Sequence, residues 1–256
     1  MAKPSVRNME KVGHLFNLTE KNQAIGSEFI DLLDEVEKVY EHLQEVSSTA
    51  HQAKHFSIAI FGSARVQSDC PEFMFVSKLT QSIVEKMTVD IVTGGGAGIM
   101  EAANKGIVNA NGTPCLKEKS KARSWGIHVQ RLDYKPNPFL HVEKYHKHFT
   151  TRLQSFVNLI QGAYTAEGGI GTLLELSLLW QLKQVNHLPA DFPLVVAPMW
   201  KPLLEHFHDI TFSQRAKGIP LIDAEDMALI RFSDDIEEIV DIFYQAHQKW
   251  KINKDG

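Results

Sequence analysis

Cysteine is nearly missing from this chain, and the two present, Cys70 and Cys115, cannot make a disulfide framework. Neither belongs to a Cys-x-x-Cys pair or to a Cys/His cluster at zinc spacing. A His-Glu-x-x-His pair is lacking too, although the chain holds 12 histidines and His141, His146 and His148 stand close together. No metal is expected. No apolar run approaches the roughly 20 residues that cross a bilayer, and the best stretch, residues 192–200, reads as a buried strand. Residues 1–22 carry charged or polar side chains every few positions, without the apolar centre of a signal peptide. These absences predict a cytoplasmic protein with no membrane partner. An excess of positive charge is also lacking. The formal net charge of -4 supplies no basic field for displacing counterions from nucleic acid, so the expected partner is a small molecule.

What is there is an ordinary globular composition, 43% hydrophobic and 23% charged, which excludes a disordered or fibrous chain. At 256 residues it accommodates one large α/β domain with a helical extension. Ile25, Phe29, Leu32, Leu33, Val36, Tyr40, Leu43 and Val46 recur at helical spacing with acids, Lys and Gln between them, the pattern of an amphipathic helix. Residues 1–53 therefore read as a helical arm packed on the α/β domain or on a second subunit, and residues 54–256 as that domain.

From residue 56 onward, short apolar runs end in glycine and are followed by helical periodicity, the alternation expected of a parallel sheet with helices on both faces. Strands are predicted at 56–61, 90–93, 126–129, 163–166, 194–197 and 226–230. Helices are predicted at 71–87, 99–110, 149–162, 172–185 and 236–250. Thr150 or Thr151 is the candidate cap of the third helix, and Ser233, Asp234 and Asp235 form the cap of the last. Residues 117–123 read as an exposed polar loop, and 134–138 as irregular.

Two turns carry the chemistry. Gly94-Gly95-Gly96-Ala97-Gly98 and Gly168-Gly169-Ile170-Gly171-Thr172 each follow an apolar strand and each open a helix. Such a junction aims unpaired backbone N–H groups and the positive end of a helix dipole at one point, where an anion fits. Glycine permits close approach and positive φ. In an open parallel sheet, both turns can face one crevice at the carboxyl ends of the strands. Neither matches the Gly-x-x-x-x-Gly-Lys-Ser/Thr phosphate loop, and the first lacks the third small residue of the dinucleotide fingerprint.

The segments Phe61-Gly62-Ser63-Ala64-Arg65, Thr93 through Ala103, and Glu167-Gly168-Gly169-Ile170-Gly171-Thr172-Leu173-Leu174-Glu175 resemble the Lonely Guy (LOG) family over about residues 55–250. The most specific element is the Pro-Gly-Gly-x-Gly-Thr-x-x-Glu signature. The resemblance implies a Rossmann-like fold, a homodimer, no cofactor, and cleavage of the N-glycosidic bond of AMP or cytokinin ribotides to free base and ribose 5-phosphate. It places the catalytic glutamate on Glu175 and the catalytic arginine on Arg152. The chemistry of the residues agrees. Glycosidic cleavage passes through an oxocarbenium-like state that a carboxylate stabilises. Glu175 lies three residues after Thr172, in the expected first turn of the phosphate-binding helix, and Arg152 offers a forked contact to phosphate. Ser63 is a further donor to phosphate or ribose. Met100 and Trp125 are candidates to flank the base, with core packing as the alternative.

The chain departs from the family in two places. Glu167 replaces the signature's proline, bringing a second negative charge near the phosphate, and Leu153 replaces the lysine that follows the arginine. These changes keep open a rival reading, a non-catalytic nucleotide-binding or sensing protein. The family's older decarboxylase label would need a pyridoxal lysine, for which His146-Lys147, in a polar stretch read as a loop, is the only His-Lys pair.

Overall fold

The computed structural model describes residues 29, 31–36, 38–41, 43–44, 55–111, 122–130, 135–213 and 218–255. Most of the arm, the bulk of the basic 117–123 segment, Cys115 and Tyr134 lie outside the described residues. The chain divides into two units, Met1–Glu45 and Val46–Gly256. In the first, every described residue between positions 29 and 44 is helical, as the periodicity predicts.

The second unit is built on a seven-stranded, wholly parallel sheet of order β4-β3-β2-β1-β5-β6-β7. The strands are β1 (Phe56–Phe61), β2 (Val89–Thr93), β3 (Ser124–Val129), β4 (Val142–His146), β5 (Gly162–Thr165), β6 (Leu194–Val196) and β7 (Arg231–Phe232). The helices are α1 (Pro71–Lys86), α2 (Ile99–Asn111), α3 (Phe149–Leu159), α4 (Ile170–Gln184), α5 (Lys201–His208) and α6 (Ile236–Asp255). All residues of β1, β2, β5 and β6 are buried, which is why these strands read as continuous apolar runs rather than alternating ones. Helix α1 packs against α2 and α6.

Asp90 anchors the middle of the sheet. Its fully buried carboxylate accepts hydrogen bonds from the Arg123 side chain, from Trp125 Nε1 at 3.1 Å and from the Arg123 backbone N–H at 3.1 Å, with His55 Nδ1 at 3.0 Å. A buried charge persists only when it is satisfied in this way. Arg123 is thus tied to the sheet, not part of a free loop. Trp125 is wholly buried and belongs to the core.

Several local expectations are corrected. Residues 226–230, expected as the last strand, lie mostly in a 3-10 segment, Ala224–Leu229, and the edge strand follows at β7. The Asp223 and Asp226 side chains each accept from the other's backbone N–H, a reciprocal cap that favours a helical turn. Neither Thr150 nor Thr151 caps α3. His148 occupies that position, and the Thr151 hydroxyl donates to its carbonyl. His146 ends strand β4, fully buried, and Lys147 lies exposed in the bend that follows it. No helix among the described residues is long and apolar enough to cross a membrane.

Candidate functional site

The strand order places β1 between β2 and β5. The chain leaves β1 through α1 toward β2 on one side and leaves β5 through α4 toward β6 on the other. That reversal opens a crevice at the carboxyl ends of the central strands. The Ser63 peptide joins the two glycine turns there. Its N–H donates to the Glu167 carbonyl at 2.9 Å, and its carbonyl accepts from the Ile99 N–H at 2.9 Å. Both turns therefore share one edge of the sheet. The Ser63 hydroxyl accepts from the Arg65 N–H at 3.1 Å, which leaves its own O–H available as a donor.

In the first turn, Gly95 and Gly98 have φ of +72° and +69°. A Cβ on Gly98 would stand 2.4 Å from the Ser63 carbonyl oxygen, and one on Gly95 would stand 2.1 Å from Cε1 of His128. Glycine is required at both. A buried amide network holds the turn in place. Asn137 Nδ2 donates to the carbonyls of Gly95 and Gly96 at 3.1 and 2.9 Å and lies 3.0 Å from Asn104 Oδ1. Thr93 Oγ1 accepts from the Gly95 N–H at 2.9 Å and donates to Asn104 Oδ1 at 2.9 Å.

The second turn is different. Gly168 is pressed against Thr172, whose Oγ1 would lie 2.2 Å from an added Cβ. Gly169 and Gly171 have nothing within 4 Å of the place a side chain would take, and neither has positive φ. Helix α4 begins at Ile170, with Gly169 as its N-cap and no side chain capping the end. Its start is two residues earlier than expected, so Glu175 sits in the second turn and not the first.

Arg152, on α3, reaches the same edge. Its Nε donates to the Ile127 carbonyl at 2.9 Å, and its Nη2 meets Glu175 Oε1 at 3.3 Å, with both side chains 13% exposed. The guanidinium also lies over the rings of Phe156 and Phe149, 5.1 and 5.6 Å from their centres. Burial pushes the Glu175 carboxyl above the usual range, while Arg152 pulls it back. A Cβ on Gly94 would come 2.7 Å from Arg152 Nη2 and 2.8 Å from Met100 Sδ. Gly94, Met100, Arg152 and Glu175 are thereby neighbours, joined through Ser63 to the second turn.

Sequence reasoning missed His128, Asn137 and Asn104. His128 is buried beneath Gly95 and stacks on Tyr145 at 4.7 Å between ring centres. Burial pushes its imidazole down to about 4, outweighing the nearby Glu143 carboxylate, and the Arg152 charge works in the same direction as burial. Its signal was a histidine in an apolar strand. Asn104 was legible as a polar residue on the apolar face of a helix, and Asn137 only as an asparagine between prolines. A separate apolar cleft of about 320 Å³, lined by Leu173, Trp180, Leu204 and Phe207, lies elsewhere, between α4 and α5. Among the described residues no group of three or more His, Cys, Asp or Glu is arranged to hold a metal ion.

Comparison with solved structures adds the fold. The Moco carrier protein from Chlamydomonas reinhardtii superposes with a TM-score of 0.51 and 15% identity, over 77% of this chain and 99% of that one. Another structure of the molybdenum cofactor carrier protein from the same organism gives 0.50 and 14%, over 75% and 98%. The chain has the Rossmann-like fold of these carriers. The protein TM1055, a structural genomics target, matches with a TM-score of 0.49 and 17% identity, over 74% of this chain and 99% of that one. No protein-family model and no curated protein matches the sequence.

Proposed function

We propose that the chain is a nucleoside 5′-monophosphate phosphoribohydrolase, acting in the cytoplasm as a homodimer. The observation that carries this reading is the unused room at Gly169 and Gly171. Glycine inside a helix costs about 1 kcal/mol relative to alanine, and at Gly171 neither backbone conformation nor a protein neighbour requires it, while Gly169, at the N-cap, has the same open space around it. The space fits a group from outside the chain, and a phosphate at the uncapped start of α4 is the group such a terminus favours.

In this reading Gly168, Gly169, Gly171 and Thr172 receive the phosphate from one side and Gly94, Gly95, Gly96 and Gly98 border the sugar and base. Met100 stands beside Gly94 to contact the base, and Ser63 offers its O–H to phosphate or ribose. The C1′–N bond breaks as its electron pair leaves with the base. A water oxygen adds to C1′, one of its protons ends on the base, and ribose 5-phosphate remains. Glu175, ionised and held by Arg152, stabilises the positive charge that develops on the sugar. No cofactor takes part.

A second reading is a nucleotide-binding protein without turnover. It is favoured by Glu167, which stands directly before the second glycine turn in place of the family signature's proline. It is also in keeping with the carrier role printed for the fold neighbours. A panel of nucleoside monophosphates, assayed by chromatography for free base, separates the two. Base release that disappears in Glu175→Ala supports the hydrolase, and saturable binding without release supports the second reading.

A further inference from the structure

Where the carboxyl ends of β5 and β6 meet the start of α1, the second unit holds another cavity, of about 260 Å³. The crossovers from β1 to β2 and from β5 to β6 run in opposite directions, and right-handed connections then put α1 and α4 on opposite faces of the sheet. The cavity therefore lies across the sheet from Glu175. Its charge is of one sign. Glu72, Glu167 and Asp234 border it, no Lys, Arg or His does, and none of the three carboxylates has a hydrogen bond or ion pair with a described residue. Burial and the Glu72 charge raise the Glu167 carboxyl, the mark of acids gathered without a counter-charge.

Tyr164 adds a polar atom without a partner. Its side chain is 2% exposed and its ring packs on Phe75 at 6.3 Å between centres, yet no described residue hydrogen-bonds its hydroxyl. A buried phenol ordinarily finds such a partner. The hydroxyl faces the acids, since burial, Asp234 and Glu167 together push it well above its ordinary range. Phe75 and the half-exposed Met199 give the cavity an apolar wall. Among the described residues no three acids are arranged to hold one metal ion.

We infer that this cavity binds a short aliphatic diamine, with Asp234 and the Tyr164 oxygen receiving one ammonium group, Glu72 and Glu167 the other, and the methylene stem lying on Phe75 and Met199. Each ammonium brings three donors to oxygens that lack one, and its charge offsets theirs. The apolar wall suits the stem and has nothing to offer a hydrated inorganic cation, which asks for oxygen on every side.

The inference does not rest on the nucleotide reading, and its test contains no nucleotide. Putrescine is titrated into the full chain by calorimetry, beside n-butylamine, which keeps the stem and loses one charge, and beside magnesium chloride at matched ionic strength. Saturable binding of putrescine at a single site per chain is expected, with a Kd below about 1 mM. Butylamine should bind at least about tenfold more weakly. Asp234→Asn and Glu72→Gln should each weaken putrescine at least about tenfold, and Tyr164→Phe about threefold or more. None of the three removes a hydrogen bond within the chain, so their melting temperatures should change little. No saturable binding of putrescine, equal binding of butylamine, displacement of putrescine by an equal concentration of magnesium, or full affinity in the folded variants overturns the proposal.

Discussion

Arg152 and Glu175 come from different helices and meet at 3.3 Å, with the guanidinium fixed from behind by the Ile127 carbonyl at 2.9 Å. The pairing makes the carboxylate's charge depend on the arginine. Glu175 must be ionised to stabilise an oxocarbenium, so activity falls as pH drops through its raised pKa. Arg152→Met removes the group that pulls that pKa down. The acid limb of kcat against pH is expected to move to higher pH, with kcat at neutral pH reduced about 10²-fold or more. An unshifted acid limb would separate the two residues.

Gly171 gives a test in which stability and function move in opposite directions. Gly171→Ala removes a helical glycine with open space around it and should raise stability by about 0.5–1 kcal/mol. The same methyl occupies the room assigned to phosphate, so binding of a nucleoside monophosphate, measured by calorimetry, should weaken at least about tenfold. Gly95→Ala, by contrast, meets both a φ of +72° and the His128 ring, and should lower stability by more than about 1–2 kcal/mol.

Asn137 ties three partners with one amide. Asn137→Ala strands the Gly96 carbonyl, while the Gly95 carbonyl keeps the bond from the residue-137 backbone N–H at 2.9 Å, and should cost about 1–3 kcal/mol in denaturant unfolding. Because the first turn is loosened, base release should fall further than the stability loss alone explains. Equal activity per folded molecule would make the network purely structural.

His128 and His247 are both buried, with imidazoles pushed down to about 4, chiefly by burial. A histidine whose folded pKa lies below its unfolded value of about 6.5 takes up protons more readily when unfolded. Stability is therefore complete above about pH 6.5 and is lost as pH falls toward 4, by up to roughly 3 kcal/mol for His128. Melting temperatures between pH 7.5 and 4.5 should show the fall, and His247→Phe should make it shallower.

The central strands and both glycine turns were legible because full burial makes β1, β2 and β5 mainly apolar, and a glycine turn follows each run within a few residues. Strand β4 was missed because it is an edge. Its Glu143 and Lys144 interrupt the apolar pattern, and only His146 is fully buried. The described residues of 198–213 and 224–229 form short 3-10, helical and π segments too brief for periodicity to register. In the site, the glycines were visible from spacing, and Glu175 and Arg152 from the family resemblance. Asn137 and His128 were not, since each matters through contacts made across the sheet and not through its neighbours in sequence.

The most direct measurement is binding and turnover of a nucleoside monophosphate, side by side, in wild type and Glu175→Gln. The account predicts that the glutamine variant binds within a few-fold of wild type while free base formation drops at least about 10²-fold. Base release at the wild-type rate from the glutamine variant would contradict it.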